Sequence, residues 1–245
     1  MIVTVCELPD DRKAFEDSWV RLAAHVKEAG SGLVVLPDMP FSSWFDSTQG
    51  ESARWLEAVV EHDAWEHRLA ELGAAVVAGS RPIDFGNERY DEGFVWAADS
   101  GVLSVHAQAS HDYVPLELHG IDIGFMIGPE VVVGSERPYG RGEVDIVVMP
   151  RCTHSETSAQ CLGHACAVAT ETGAFALSSN RSVPFEGQGW IVAPDGSVLG
   201  TTSRAHPFVS LEIALPGERT SAQESRARPA PDWMDPLDTG VPNYD

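Results

Sequence analysis

The stretch from residue 121 to residue 130, Ile-Asp-Ile-Gly-Phe-Met-Ile-Gly-Pro-Glu, limits what this chain can fold into. It is apolar apart from Asp122 until it reaches the Gly-Pro-Glu turn, which predicts a buried strand followed by a sharp exit from a sheet. The carboxyl end of such a strand is where α/β proteins commonly place their chemistry. A nucleophile at this turn would be exposed, but the residue there is Gly128.

Helical and strand patterns alternate along the chain. Helices are predicted at residues 10–29, 51–72 and 156–172, and single strands at 2–6, 33–36, 74–78, 121–127, 144–149, 174–179 and 208–213. Hairpins are predicted from 94 to 106 and from 189 to 200. Pro138 lies within residues 131–142 and predicts a short or broken helix, since proline in a helix costs about 3 kcal/mol. The alternation favours an α/β layered architecture around two sheets.

We expect one domain over residues 1–215 and a separate tail over residues 216–245. The tail is polar and is punctuated by Pro229, Pro231, Pro236 and Pro242. It has no helical or strand periodicity, so we expect it to be disordered or to lie across a neighbouring surface.

The charge of the chain excludes some partners. Lys and Arg number 16 against 37 Asp and Glu, for a net charge of −21. Such a surface repels nucleic acid and anionic lipid. The sequence starts without a signal peptide, no apolar run reaches the ~18 residues of a membrane span, and the four cysteines lack a framework spacing. We therefore expect a cytoplasmic protein with reduced thiols and no cofactor.

Five segments together resemble the nitrilase superfamily of carbon–nitrogen hydrolases. They are Leu-Pro-Asp-Met-Pro-Phe at 36–41, Ile-Gly-Phe-Met-Ile-Gly-Pro-Glu at 123–130, Tyr-Gly-Arg-Gly-Glu-Val-Asp-Ile-Val-Val-Met-Pro-Arg at 139–151, Ser-Ser-Asn-Arg-Ser at 178–182 and Gly-Gln-Gly-Trp-Ile-Val-Ala-Pro-Asp-Gly at 187–196. The resemblance implies an α-β-β-α sandwich that commonly dimerises. It also implies a Glu–Lys–Cys set that hydrolyses nitriles or amides through a thioester.

This sequence departs from the family at all three catalytic positions. Asp38 stands for the glutamate, Gln108 (with Ala109 as the other candidate) for the lysine, and Gly128 for the cysteine. Glycine supplies no thiolate. Asp38 is one methylene shorter, and misplacing a base by about 1 Å can cost on the order of a hundredfold in rate. Gln108 can donate a hydrogen bond but lacks the charge of lysine. We predict a degenerate active site that does not hydrolyse amides by the thioester route.

Four nearby residues allow two interpretations each. Asp38 could act as a base or cap the turn after its strand, and Glu130 could orient a ligand or cap backbone amides. Cys152 and His154 could form a relocated nucleophile pair, or be a packed thiol and a surface imidazole. Arg151 is a candidate for substrate binding at the same strand end, as are Gln108, Gly128 and Glu130.

Other polar residues in the sequence are assigned structural roles. Spacing among His106, His111, Asp112 and His119 is irregular, so no metal site is predicted. The Asn180-Arg181 pair is expected to hold backbone and loop carbonyls rather than substrate.

Two hypotheses follow for the function. In the first, the protein keeps the fold to bind a small molecule, or to partner an active relative as a hetero-oligomer or itself as a homodimer. In the second, it is an enzyme of changed mechanism on a small nitrogen-containing metabolite, with Asp38 as acid/base and Cys152 or His154 assisting.

Overall fold

The computed structural model describes residues 1–45, 52–85, 88–108, 112–133 and 138–215. The predicted tail at residues 216–245 lies outside them. The first of two sheets has six strands, in the spatial order β5-β4-β3-β2-β1-β12. They are β1 (Ile2–Leu8), β2 (Leu33–Val35), β3 (Val76–Phe85), β4 (Glu88–Ala97), β5 (Gly101–Ala107) and β12 (Phe208–Glu212).

The second sheet also has six strands, in the order β6-β7-β8-β9-β10-β11. They are β6 (Leu116–Leu118), β7 (Ile121–Phe125), β8 (Ile146–Arg151), β9 (Phe175–Arg181), β10 (Trp190–Val192) and β11 (Val198–Thr201). A short parallel pairing joins the two sheets, with Glu7 opposite Asn180 and Leu8 opposite Arg181. This junction brings the carboxyl ends of β1 and β9 together.

Helices cover the two outer faces. The first sheet carries α1 (Arg12–Ala29) and α2 (Ser52–Glu66), and the second carries α3 (Glu130–Val133) and α4 (Ser155–Thr172). In the described part of the chain, no helix is long and apolar enough to cross a membrane. The result is the predicted α-β-β-α sandwich.

The core lies in layers. Between the sheets, Val5 and Val35 pack with Phe125, Val148 and Leu177. The two sheets approach closely at β4, because a Cβ added to Gly93 would lie 2.5 Å from the Phe125 ring. Aliphatic and aromatic residues of α1 and α4 fill the outer layers.

Several predicted boundaries were wrong. The helix predicted at 51–72 is α2 followed by a 3-10 turn at Leu69–Leu72. The strands predicted at 74–78 and 94–97 extend to ten residues each, as β3 and β4, and β6 was not predicted. The described part of the helix after β7 is α3, with four residues, and residues 134–137 of the short or broken helix predicted at 131–142 lie outside the described residues.

Candidate functional site

The candidate site lies where several strands of both sheets end. Asp38 follows β2, and its backbone N–H donates to the carbonyl of Arg151 at the end of β8, at 3.2 Å. Nε of Arg181, the last residue of β9, donates to the carbonyl of Asp38 at 3.1 Å. These contacts fix the loop after β2 against the ends of β8 and β9.

The side chain of Asp38 is buried and bound to Ser80 on β3. The Ser80 hydroxyl donates to Oδ1 of Asp38 at 2.6 Å, and it accepts the backbone N–H of Met39 at 3.0 Å. Met39 has φ of +38°, a region that non-glycine residues rarely adopt. Ser80, rather than Asp38, thus caps the turn amide, and the Asp38 carboxylate keeps its second oxygen for another partner.

That partner is Asp91 on β4. Alternation along β3 and β4 places Ser80 and Asp91 on the inner face, together with Val95 of the inter-sheet core. Asp91 is in contact with both the Ser80 hydroxyl and the Asp38 carboxylate. Burial, and next the charge of Asp38, raise the pKa of Asp91 well above its usual value. Burial beside another carboxylate disfavours the charged form, so Asp91 keeps its proton to a higher pH than an ordinary aspartate.

Gln108 and Gly128 are adjacent. Gly128 has φ of +55°, and a Cβ built on it would lie 2.9 Å from Nε2 of Gln108. The backbone N–H of Gln108 donates to the carbonyl of Asp91 at 2.8 Å. The structure thus places Asp38, Gln108 and Gly128 around Asp91 in one neighbourhood, although they come from distant parts of the sequence.

In the described part of the chain, Glu130 caps the strand end: it binds the backbone amide of Ile127, which precedes it, rather than amides of the segment that follows. Its Oε2 accepts the backbone N–H of Ile127 at 2.7 Å, and its Oε1 lies 2.9 Å from Nε2 of His106. The buried His106 ring stacks on Tyr113, with centroids 4.6 Å apart. Glu130 therefore stabilises the strand end beside Gly128, and its predicted contact with a ligand stays a prediction.

Cys152 and His154 are not joined by a hydrogen bond in the described part of the chain. Burial raises the pKa of the Cys152 thiol, an effect that the nearby Arg181 cation opposes. His154 is exposed, and its ring lies 4.9 Å from that of Phe185. This geometry favours the packed thiol and the surface imidazole over a nucleophile pair.

Arg151 binds other groups of the protein through its guanidinium group. It is fully buried, with Nε donating to the Ser178 hydroxyl at 2.7 Å, and its two terminal nitrogens donating to the Thr153 hydroxyl and the Gln188 carbonyl. Its guanidinium stacks 3.6 Å from the centre of the Trp190 ring. Burial lowers the pKa of Arg151 to about 9. These contacts argue against the predicted role of Arg151 in binding substrate.

Asn180 and Arg181 hold loops, as predicted. Arg181 donates to the carbonyls of Asp38, Met39 and Ser42 and to the carboxylate of Asp10. Asn180 binds the backbone of the loop at Thr153 through both its oxygen and its nitrogen.

Sequence reasoning missed Ser80 and Asp91. The strand before Ser80 was predicted to stop at residue 78, and the strand after Asp91 to start at residue 94. Alternation extended back from Ala97 and Val95 would have placed Gly93 and Asp91 on the same face of β4. That pattern in Tyr-Asp-Glu-Gly at 90–93 was the available indication.

Solved structures with the same architecture are amidases. No protein-family model matches the sequence, and no curated protein matches it. The chain is similar to an amidase from Nesterenkonia sp. AN1 carrying acrylamide at its active-site cysteine, at 18% identity over 87% of this chain and 93% of that one, with a TM-score of 0.69. The fold is that of the nitrilase-superfamily amidases.

Two further structures of the Nesterenkonia amidase give the same result. An alanine variant in complex with butyramide is 18% identical, with 87% of this chain and 90% of that chain covered and a TM-score of 0.70. Another structure of the same alanine variant, described as an amidase from the nitrilase superfamily, is 21% identical over the same shares, with a TM-score of 0.68. At these identities the similarity concerns the fold.

Proposed function

We propose that this protein uses the carbon–nitrogen hydrolase fold to bind a small molecule without forming a thioester. The observation that carries the proposal is the contact between Gly128 and Gln108. Gly128 stands at the turn after β7, where the family keeps its cysteine, and it has no side chain. Beside it lies the neutral amide of Gln108, in place of the family lysine. The site therefore lacks both the nucleophile and the cation of the family reaction.

The surrounding thiols do not replace the missing cysteine. The Asp38 carboxylate acts electrostatically on Cys152, and the raised pKa of this thiol leaves less thiolate at neutral pH than an ordinary cysteine has. Cys6 is fully buried, its thiol donates to the Val35 carbonyl at 3.3 Å, and burial raises its pKa to about 12. Neither residue offers an activated nucleophile.

Covalent labelling tests the proposal directly. A glutamate-to-glutamine variant of the Nesterenkonia amidase carries adducts of acrylamide and of the acetamide moiety of fluoroacetamide at its active-site cysteine. Incubated alongside it under the same conditions, the native protein should show no adduct by intact mass and no release of ammonia from butyramide. The unfolded protein should label at its cysteines, which controls for reagent activity. A stoichiometric adduct on native Cys152, or turnover of butyramide abolished by Cys152→Ser, would overturn the proposal.

A second candidate function is an enzyme that uses acid/base chemistry without a covalent intermediate. The contact between Asp38 and Asp91, with the raised pKa of Asp91, favours it, because a protonated carboxyl can donate while a neighbouring carboxylate accepts. Asp38→Asn removes one ionisable member with little change in shape. Should a reaction be found, undiminished turnover in that variant would exclude this mechanism.

We also propose that the protein acts as a homodimer or pairs with an active relative, as the resemblance implies. The chain has a mass of 26.4 kDa. Size-exclusion chromatography with light scattering should give about twice that mass for the homodimer. A monomer mass at micromolar concentration would leave only the hetero-oligomer, which co-expression with an active relative tests.

A further inference from the structure

We infer that the Asp38–Asp91 pair binds the protonated amino group of a small organic ligand. The inference rests on the proposed function, because it names the chemical class of the molecule that the site holds. It starts from an unfilled hydrogen-bonding position: Oδ1 of Asp91 is buried and has no hydrogen-bond partner in the part of the chain that the structure describes. Asp91 as a whole is only 8% exposed. A buried carboxylate oxygen without a donor destabilises the fold, and a ligand donor would remove that cost.

The arginines near the Asp38–Asp91 pair already bind other groups. Arg81 binds Glu92 at 2.8 Å, and alternation along β3 and β4 places both on the outer face. Arg181 binds the carboxylate of Asp10 and three carbonyls. In the described ranges, therefore, the arginines close to the site bind groups other than the carboxylates of Asp38 and Asp91.

Histidines near the site do not supply the missing charge either. His106 faces Glu130, which is itself an acid and also acts electrostatically on Asp91. His62 of α2 is fully buried, and burial lowers its pKa to about 3, so it is neutral. Its Nδ1 donates to the Ala58 carbonyl at 2.7 Å. The remaining residue over the site, Gln108, carries no charge.

A primary ammonium group fits these conditions. It offers three N–H donors and a positive charge, whereas an amide offers two donors without charge and a carboxylate offers none. Cations are also attracted by the net charge of −21. A metal ion is a poorer fit, since no group of three or more His, Cys, Asp or Glu in the described residues is placed to hold one.

Binding of the ammonium group is coupled to a proton. The raised pKa of Asp91 keeps its proton on to a higher pH than usual. The incoming ammonium supplies a positive charge that favours the ionised form of Asp91, and the proton of Asp91 leaves to solvent. An alkylamine stays protonated throughout this range, as lysine does with its pKa of about 10.4. Amine and proton thus compete, and the affinity for the amine should fall as the pH falls.

Three ligands of equal length test the inference with the full chain: butylamine, butyramide and butyrate. Calorimetric titration at pH 8, 7, 6 and 5 measures each affinity. We expect butylamine to bind at least tenfold more tightly than the other two at pH 8, and to weaken toward pH 5 while butyramide does not. Titration in phosphate and in Tris should show proton release that grows as the pH falls.

Asp91→Asn separates the pair from general electrostatics. It should lower butylamine affinity about tenfold or more, abolish proton release and leave butyramide affinity unchanged. Asp99→Asn removes the same charge at an exposed turn and should change none of these values.

The possible outcomes distinguish the two proposals. Equal affinities for butylamine and butyramide, butylamine affinity unchanged in Asp91→Asn, or no butylamine binding at millimolar concentration would each overturn the inference. Tight binding of butyramide alone would overturn it while the proposed function stands. Covalent turnover of butyramide would overturn the proposed function whatever the amine does.

Discussion

A Cβ attached to Gly128 would lie 2.9 Å from Nε2 of Gln108. The two positions that the resemblance matches to the family cysteine and lysine are therefore adjacent in the structure. We predict that Gly128→Cys does not restore hydrolysis of butyramide, because the lysine and the full-length glutamate are still absent. It should lower stability by about 1 kcal/mol, since φ is +55° and the new side chain must displace Gln108.

Gly128→Ala is the matched control for that variant. It introduces the same backbone strain without a thiol, so urea unfolding should give the same loss of stability in both. Measurable release of ammonia by Gly128→Cys alone would show that Gln108 and Asp38 can replace the family residues.

Much of the fold was predictable because it depends on local patterns. The α1 helix begins after Asp11, whose carboxylate accepts the N–H of Ala14, and ends at Gly30 in the left-handed conformation, as its apolar spacing predicted. The long β3 and β4 strands were not predictable in the same way. In the half next to the turn between them, these strands carry Arg81, Pro82 and Asp91, which on sequence alone suggest a loop or turn. Cross-strand pairing and burial between the sheets offset their low strand propensity.

The site was predictable only where the resemblance marked a position. Asp38, Gln108 and Gly128 were found because a family motif surrounds each of them. Asp91 was not, since its role depends on contact with Asp38, 53 positions earlier in the sequence. The exposure of His154 next to the half-buried Cys152 was also not predictable, because position in the sequence does not fix the environment of a side chain.

Arg181 should be among the most sensitive positions for stability. It is 2% exposed, and it joins Asp10 to the loop that carries Asp38. Arg181→Ala leaves a carboxylate and several carbonyls without their donor, so we expect a loss of about 3 kcal/mol or more in the free energy of unfolding. Urea denaturation measures it. Arg21→Ala removes an exposed arginine and should cost no more than about 0.5 kcal/mol. Similar losses in both variants would contradict the role of Arg181 in joining Asp10 to the loop that carries Asp38.

Glu130 should stabilise the folded protein by binding the Ile127 amide and the His106 ring. Glu130→Ala leaves both groups without their acceptor, and Nδ1 of His106 already has no hydrogen-bond partner among the described residues. We expect a loss of about 2 kcal/mol on urea unfolding. Glu130→Gln keeps an acceptor oxygen and should lose less than half as much. Glu57→Ala, on the exposed face of α2, should be nearly neutral. A nearly neutral Glu130→Ala would contradict the capping role.

The Asp38–Asp91 pair should make the protein less stable as the pH rises. The pKa of Asp91 is higher in the folded than in the unfolded chain, so between these two values folding takes up a proton. Stability from this group is complete below the unfolded pKa and is lost as the pH rises through the folded one. Asp91→Asn cannot ionise but keeps a donor for Asp38. It should therefore raise the free energy of unfolding at pH 7 on the order of 1 kcal/mol.

Urea unfolding at pH 4.5, 6, 7 and 8 tests this sign. The gain from Asp91→Asn should be small at pH 4.5 and grow toward pH 8, whereas Asp99→Asn should show no such gain at any pH, because Asp99 is exposed and its pKa is lowered by the Ser100 hydroxyl. With Asp38→Asn already in place, the gain from Asp91→Asn should be smaller but not zero, since burial, the larger cause of the raised pKa of Asp91, remains. If Asp91→Asn were less stable than the natural chain at pH 8, Asp91 would be needed as a carboxylate for folding, and the stability that it costs could no longer be attributed to an unfilled binding site.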